Sequence, residues 1–355
     1  MSGAVLTIDG RPVGEGHPAY IVAELSANHA QRYDQAVELI HAAREAGADA
    51  VKLQTYTPDT LTIRSPQRYF RIEGGTPWDG QTLYDLYRHA YTPWEWQPKL
   101  NAVAKRLGIT LFSTAYDLTA VDFLEEMGVP VHKVASFELP DLPLIETMAR
   151  TGKPLILSTG MASLEEIQEA MQAARNAGAG QVMVLKCTSA YPAPPEEMNL
   201  RAIPQLAQRF QVPVGLSDHT LGATVAVAAV ALGARMIEKH LTLSRSAPSA
   251  DRAFSLEPNE FKAMVEAVRL AEQALGSASY QVGRAEAKSL IYRRSLFAVE
   301  DVKAGDILSE NNVRSIRPGH GLPPKFLKQV AGRRAVVDLP RGTPLDWAAV
   351  GGPAP

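Results

Sequence analysis

The chain has 355 residues, 46% of them hydrophobic and 21% charged, with a formal net charge of -2. That length holds one large domain plus a small one, and the composition is that of a folded globular protein. The near-neutral charge without a basic tract speaks against nucleic-acid binding, no apolar run is long enough to span a membrane, and the single Cys187 allows no internal disulfide. No early apolar run has the length of a secretion signal, so the expected location is the cytoplasm.

From about residue 19 one unit repeats: a short apolar run, polar punctuation, an amphipathic helix and often a glycine. Tyr20–Leu25 is the first run, followed by a helix with Ala36, Leu39, Ile40 and Ala43 on one face and Gly47 as its stop. Ala50–Leu53 is the second. A helix from about Trp94 to Leu107 leads to the third, Ile109–Phe112, and a helix over Leu118–Met127 leads to the fourth, Val131–Ala135. Leu142–Thr151 precedes the fifth, Pro154–Leu157, and a capping box at Ser163-Leu-Glu-Glu166 opens the helix before the sixth, Val182–Leu185. A helix near Leu200–Phe210 precedes the seventh run at Val214, and the small-residue helix Ala223–Leu232 precedes the eighth, Ala234–Ile237. Pro258–Leu275, with its N-terminal Pro and following Gly276, closes the set. Eight such units in roughly 260 residues predict a (β/α)8 TIM barrel. An open doubly wound sheet is the competing α/β arrangement, but no Gly-x-Gly-x-x-Gly turn follows the first strand.

A barrel gathers its site at the C-terminal ends of its strands. Those ends carry Glu24, Lys52 with Gln54, Ser113 with Thr114, Lys133 with Ser136 and Glu138, Ser158 with Thr159, Thr188 with Ser189 and Tyr191, Ser217 with His219, and Glu238 with His240. Any one of them reads as a solvated loop-edge group, whereas the set in register reads as a site. Lys52 and Lys133 lie inside apolar runs and need a compensating anion, since an unpaired buried ammonium is costly. Two lysines with the hydroxyls of Thr114, Ser136, Ser158, Ser189 and Ser217 suit a small molecule bearing a phosphate and a carboxylate. His219 and His240 end successive parallel strands and should be neighbours; they are either a two-nitrogen divalent metal site or two unrelated histidines. Glu24 and Glu138 are candidate proton-transfer groups.

Two long excursions stand out. Residues 57–91, with Trp78-Asp-Gly-Gln and Leu83-Tyr-Asp-Leu-Tyr, read as a lid or substrate wall, or else as an oligomer contact. Residues 242–254, with Arg245, Asp251 and Arg252, read as a loop at the site's edge. The expected organisation is a barrel over 1–280, a polar linker over 281–292 and a small β-rich domain over 293–355. In that last domain, β-like pieces at Ser295–Val299 and Ala335–Leu339 and similar glycine turns at Lys303-Ala-Gly-Asp and Pro340-Arg-Gly-Thr suggest an internal pseudo-symmetry. So small a module buries only a thin core.

The chain resembles the sialic acid synthase family from end to end. The matching motifs are Ala23-Glu-Leu-Ser-Ala-Asn-His29, Val51-Lys-Leu-Gln-Thr55, Phe112-Ser-Thr114, Lys133-Val-Ala-Ser-Phe-Glu138, Leu157-Ser-Thr-Gly-Met161, Cys187-Thr-Ser-Ala-Tyr-Pro192, Gly215-Leu-Ser-Asp-His219 and Ile237-Glu-Lys-His240. The tail, with Ile316-Arg-Pro-Gly319, is similar to the antifreeze-like (SAF) domain that follows the barrel in that family. Trp78-Asp-Gly-Gln, Tyr91-Thr-Pro-Trp-Glu-Trp96 and the Ser189-Ala-Tyr-Pro stretch resemble its pseudaminic acid branch. The resemblance implies condensation of phosphoenolpyruvate with an acetamido-sugar aldehyde. It implies that Lys52, Thr114, Lys133, Ser136, Ser158, Ser189 and Ser217 hold phosphoenolpyruvate. His219 and His240 would bind a divalent ion, manganese first with magnesium or cobalt as alternatives, and Glu24 and Glu138 would move protons. Gln54, Tyr191 and Asp251 would touch the sugar, and Arg317 would reach the other subunit of a domain-swapped homodimer. Pro248-Ser-Ala-Asp251 replaces the family's usual Gly-Pro-Asp segment, and Ser189 stands where the sialic acid branch tends to have Asn. The rival readings are the same reaction on a legionaminic or N-acetylneuraminic acid precursor, a non-catalytic carbohydrate- or ice-binding protein, and a metal-dependent aldolase.

Overall fold

The alternation of apolar run and helix closes on itself. The computed structural model describes residues 4–76 and 78–351. Two short strands, β1 (Val5–Ile8) and β2 (Arg11–Gly14), form an antiparallel hairpin. Eight parallel strands follow: β3 (Tyr20–Glu24), β4 (Ala50–Thr55), β5 (Thr110–Ala115), β6 (His132–Val134), β7 (Leu155–Ser158), β8 (Val182–Cys187), β9 (Val214–Asp218) and β10 (Met236–His240). They pair in sequence order, and β10 returns to β3 to complete a closed barrel. Each strand is fully or almost fully buried, because the barrel lumen takes one face and the helical ring takes the other. The helices are punctuated as their residues dictate: Gly108 and Gly128 end two of them in the left-handed region, and Ser163 with Glu166 forms the expected capping box.

Several strands run further than their apolar stretches suggest. β4 continues through Gln54 to Thr55, β5 through Thr114 to Ala115, and β10 through Lys239 to His240. Backbone pairing persists where hydrophobicity stops, so the polar side chains sit on rigid strand rather than on loop. The N-terminal hairpin was not legible as an element. It covers the opposite end of the barrel: Leu6, Ile8 and Val13 join the barrel core, and Thr7 and Asp9 bond to Gln181 and Thr110 just before or at the starts of β8 and β5.

A second compact unit spans residues 277–355, and the first ends at Gly276. The outermost expected limits, residues 1 and 355, lie outside the described residues. Residues 277–292 are exposed and contain two single-turn helices, Arg284–Ala287 and Leu290–Tyr292. β11 (Ser295–Ala298) pairs antiparallel with β12 (Val313–Ile316). The expected strand at 335–339 is instead a segment held by isolated bridges and single backbone hydrogen bonds, such as Val302 to Leu339. Its core is small, built from residues that include Leu296, Val302, Leu308, Val313, Leu322, Val330, Leu339 and Leu345. Among the described residues no helix is long and apolar enough to cross a membrane.

Candidate active site

The strand ends carry the site because alternate residues on neighbouring strands point into the barrel at the same height. Glu24 lies in register with Lys52 and with His240, and Glu238 with Ser217. The Lys52 ammonium is 2.7 Å from one Glu24 oxygen and 3.6 Å from Glu238, and it donates to Thr114 Oγ1 at 3.1 Å. Lys133 donates to Ser158 Oγ at 2.7 Å and lies 3.8 Å from Glu238. The compensating anions for both lysines are thus supplied first by the chain itself. Glu238 bridges them, and Ser217 Oγ donates to its carboxylate at 3.2 Å.

Burial sets the protonation states of this cluster. It pushes the Glu24 carboxyl from 4.5 up to about 7, with Lys52 pulling the other way. For Glu238 burial is outweighed by Lys133 and Lys52, which hold it below the ordinary range. Burial lowers Lys133, whereas Lys52 is raised because Glu238 and Glu24 outweigh burial. Burial thus pushes Glu24 toward its neutral form, and two ammonium groups converge on the ionised Glu238, an arrangement that favours an added anion.

Beside that floor is a small cradle. The Gly160 N–H donates to Ser136 Oγ at 3.0 Å, and a Cβ on Gly160 would fall 2.1 Å from Ser189 Oγ and 2.7 Å from Ser136 Oγ. Two hydroxyls and one backbone amide therefore converge where only a glycine fits. Glu138 ends the short 3-10 turn Ser136–Glu138 after β6; burial lifts its carboxyl to about 7, and one of its oxygens has no partner among the described residues.

His219 and His240 are neighbours, with ring centroids 5.4 Å apart. The outward-facing pair behind them, Lys239 donating to Asp218 at 2.8 Å, ties β9 to β10 and fixes their spacing. His219 Nδ1 lies 3.0 Å from the Thr188 carbonyl, which can only accept, so Nδ1 carries a proton and Nε2 is the nitrogen that could bind a metal in the neutral ring. His240 is held well below the ordinary range by burial and by His219, and its Nδ1 has no partner among the described residues. Burial pulls His219 down, but Cys187, whose Sγ lies 3.9 Å from its Nδ1, outweighs burial and raises it above the ordinary imidazole range. Two imidazoles side by side suit a divalent ion, which would bind them in their neutral form and leave its other positions to water and substrate. No cluster of three or more His, Cys, Asp or Glu ligands exists among the described residues.

Above the floor is a cavity of about 500 Å³ lined by Ser26, Gln54, Tyr191, Glu138, His240 and Asp251 among others. Gln54 Nε2 donates to Glu24 and to Ser26 Oγ, both at 3.0 Å, and the Ser26 hydroxyl donates to Asp251. This chain of bonds joins the loop after β10 to the Glu24 carboxyl. Tyr191 stacks on His219 at 4.4 Å between centroids and meets Trp78 at 5.7 Å. Trp78, from the 57–91 excursion, donates its indole N–H to the Ala250 carbonyl at 3.0 Å. The two excursions therefore meet over the strand ends. Arg317 is exposed within the second unit. Apart from it, the structure brings the sequence-derived site residues together at the mouth of one barrel.

Three groups escaped assignment from sequence. Glu238 was visible as a strand-end residue without a role; its place two before His240, on the same inward face, is the signal. Gly160 was visible only as part of a motif. Tyr56 and Tyr116, which line the cavity and whose hydroxyls burial raises well above their ordinary value, gave no signal at all.

The chain and its fold match known proteins. The family model described as NeuB family matches residues 39–280, and the SAF domain model matches 293–351. The chain is 45% identical over 329 residues to a pseudaminic acid synthase of Helicobacter pylori, covering 92% of this chain and 96% of that one. An N,N'-diacetyllegionaminic acid synthase of Legionella pneumophila is 36% identical over 342 residues, covering 95% and 96%. The crystal structure of an N-acetylneuraminic acid synthetase from Leptospira borgpetersenii, in complex with citrate, superposes with a TM-score of 0.72 at 28% identity, covering 81% of this chain and 95% of that one. The two domain matches, the relatives along nearly the whole chain and the barrel fold converge on one assignment: the chain belongs to the NeuB family.

Proposed function

We propose that this protein condenses phosphoenolpyruvate with 2,4-diacetamido-2,4,6-trideoxy-L-altrose, giving pseudaminic acid and phosphate. The observation that carries the reading is the pairing of a cationic, hydroxyl-rich floor with two carboxyls poised near pH 7 beneath a sugar-sized cavity. Lys52, Lys133, Thr114, Ser136, Ser158, Ser189 and Ser217 would hold the phosphate and carboxylate of phosphoenolpyruvate. Gln54, Tyr191 and Asp251 would hold the sugar. The enol carbon attacks the aldehyde carbon, and the aldehyde oxygen takes a proton from Glu138, which lines the cavity. Water adds to the oxocarbenium-like carbon left behind and gives its proton to Glu24. The new hydroxyl then gives its proton to the departing phosphate as the carbon–oxygen bond to phosphate breaks and the ketone forms, leaving the keto acid. Carboxyls with pKa values close to the working pH are the efficient donors and acceptors for these steps. His219 and His240 would hold a divalent ion, manganese first, which supplies polarisation of the aldehyde oxygen when bound.

Homodimerisation belongs to the same proposal, with Arg317 of the partner subunit reaching the sugar. Its support is the exposure of Arg317 in its own unit and the family resemblance of the tail. The test is phosphate release from phosphoenolpyruvate with the trideoxy sugar, its legionaminic counterpart and N-acetylmannosamine, each with and without manganese. Metal-dependent release chiefly with the trideoxy sugar is expected. Release with N-acetylmannosamine alone would overturn the assignment, and condensation without phosphate release would point to an aldolase.

A further inference from the structure

The cavity is divided by chemistry. Its barrel side presents Gln54, Glu138 and Asp251 beside the rings of Phe137 and Phe254. Its outer wall, from the 57–91 excursion, presents the aliphatic Leu61, Ile72, Leu83 and Leu86, with Thr76, Trp78 and Tyr87 beside them. None of these four aliphatic residues belongs to the hydrophobic core of either unit, and each keeps part of its surface uncovered. They are not loosely placed. The Ile72 N–H donates to Gln81 O at 2.9 Å and its carbonyl accepts from Gly80 N at 3.0 Å. Asp79 closes the turn between them by accepting from Gly75 and Thr76 at 2.8 and 2.9 Å. The helix Leu83–Ala90 that carries Leu83 and Leu86 is capped by the Thr82 side chain. A fixed aliphatic wall left half-covered by folding gains from apolar ligand surface and gives nothing to a hydroxyl, which would lose its water there.

We infer that Leu61, Ile72 and Leu86 are specificity-determining residues that read the sugar's methyl groups, selecting a 6-deoxy diacetamido sugar over one hydroxylated at C6. This rests on the function proposed above. An apolar wall rejects an added hydroxyl by at most about a hundredfold, so a preference of roughly ten- to a hundredfold in kcat/KM is expected. The experiment compares the trideoxy sugar with its 6-hydroxy analogue, using manganese-loaded protein and the Ile72→Asn and Leu86→Asn variants. Phosphoenolpyruvate affinity by calorimetry serves as the folding control. Each Asn variant should bring the preference down by about tenfold while phosphoenolpyruvate affinity is unchanged, and Leu86→Met should retain the preference. If a variant fails to bind phosphoenolpyruvate, the matching Ala variant takes its place and should lose more rate with the deoxy sugar than with its analogue. An unchanged preference in the folded variants overturns the inference. Equal use of both sugars by the wild type also overturns it while leaving the proposed reaction standing. Use of neither sugar defeats the proposed reaction itself.

Discussion

Replacing Gly160 with alanine tests the anion cradle at its tightest point. The new methyl would sit 2.1 Å from Ser189 Oγ, 2.7 Å from Ser136 Oγ and 3.0 Å from Ser136 Cβ. Gly160 does not lie in the positive-φ region, so the cost comes from the collision and not from backbone strain. Both hydroxyls must swing away, and overpacking of this kind costs about 1–3 kcal/mol of stability. Ser136 also gives up the bond it accepts from Gly160 N–H. If the displaced hydroxyls contact phosphoenolpyruvate, losing one charge-assisted bond weakens its binding by about 1.5–3 kcal/mol, which is roughly tenfold to over a hundredfold in affinity. Calorimetric titration with phosphoenolpyruvate measures this directly, and thermal unfolding confirms that the variant is folded. Binding within about twofold of wild type, a difference well under one kcal/mol, would show that Ser136 and Ser189 do not hold the anion.

The remaining predictions address the other parts of the site. His219→Ala and His240→Ala should each abolish metal-dependent turnover while the barrel still unfolds cooperatively; retained turnover with manganese removes that residue from the ligand set. Burial carries the Glu138 carboxyl from 4.5 to about 7, so its ionised form is disfavoured in the folded state and stability is lost as pH rises through that window. Glu138→Gln should therefore gain on wild type between about pH 5 and about pH 8, by up to about 3 kcal/mol at roughly 1.4 kcal/mol per pKa unit and less to the extent that the group is solvated. A Tm difference that does not grow over that range would mean Glu138 titrates as an ordinary carboxyl. Mixing inactive Arg317→Ala and Glu24→Ala chains should restore partial activity, since one barrel of each mixed dimer then has both groups. No recovery after verified subunit exchange would place Arg317 at its own barrel or outside the site.

Much was legible in the residues because the barrel is a periodic fold. Each strand's apolar run and each helix's stripe reports its own burial, so the strand-helix units and the side of the barrel that holds the chemistry follow from local pattern. Register between consecutive parallel strands is also nearly local, which is why the proximity of His219 and His240 could be read before any coordinates. Where the signal was compositional instead of periodic, it failed. The N-terminal hairpin is too short to declare itself, and Ala335–Leu339 has a strand's composition but pairs only through isolated bridges. The tertiary structure alone decided the electrostatics. Lys52 and Lys133 read as lysines awaiting a ligand, yet Glu238 bridges them across three strands, and the near-neutral carboxyls of Glu24 and Glu138 arise from burial. Closure of the barrel brings Lys52 within 4 Å of Glu24 and Glu238, and Lys133 within 4 Å of Glu238, and removes their water; neither distance nor dehydration is a property of any stretch of sequence.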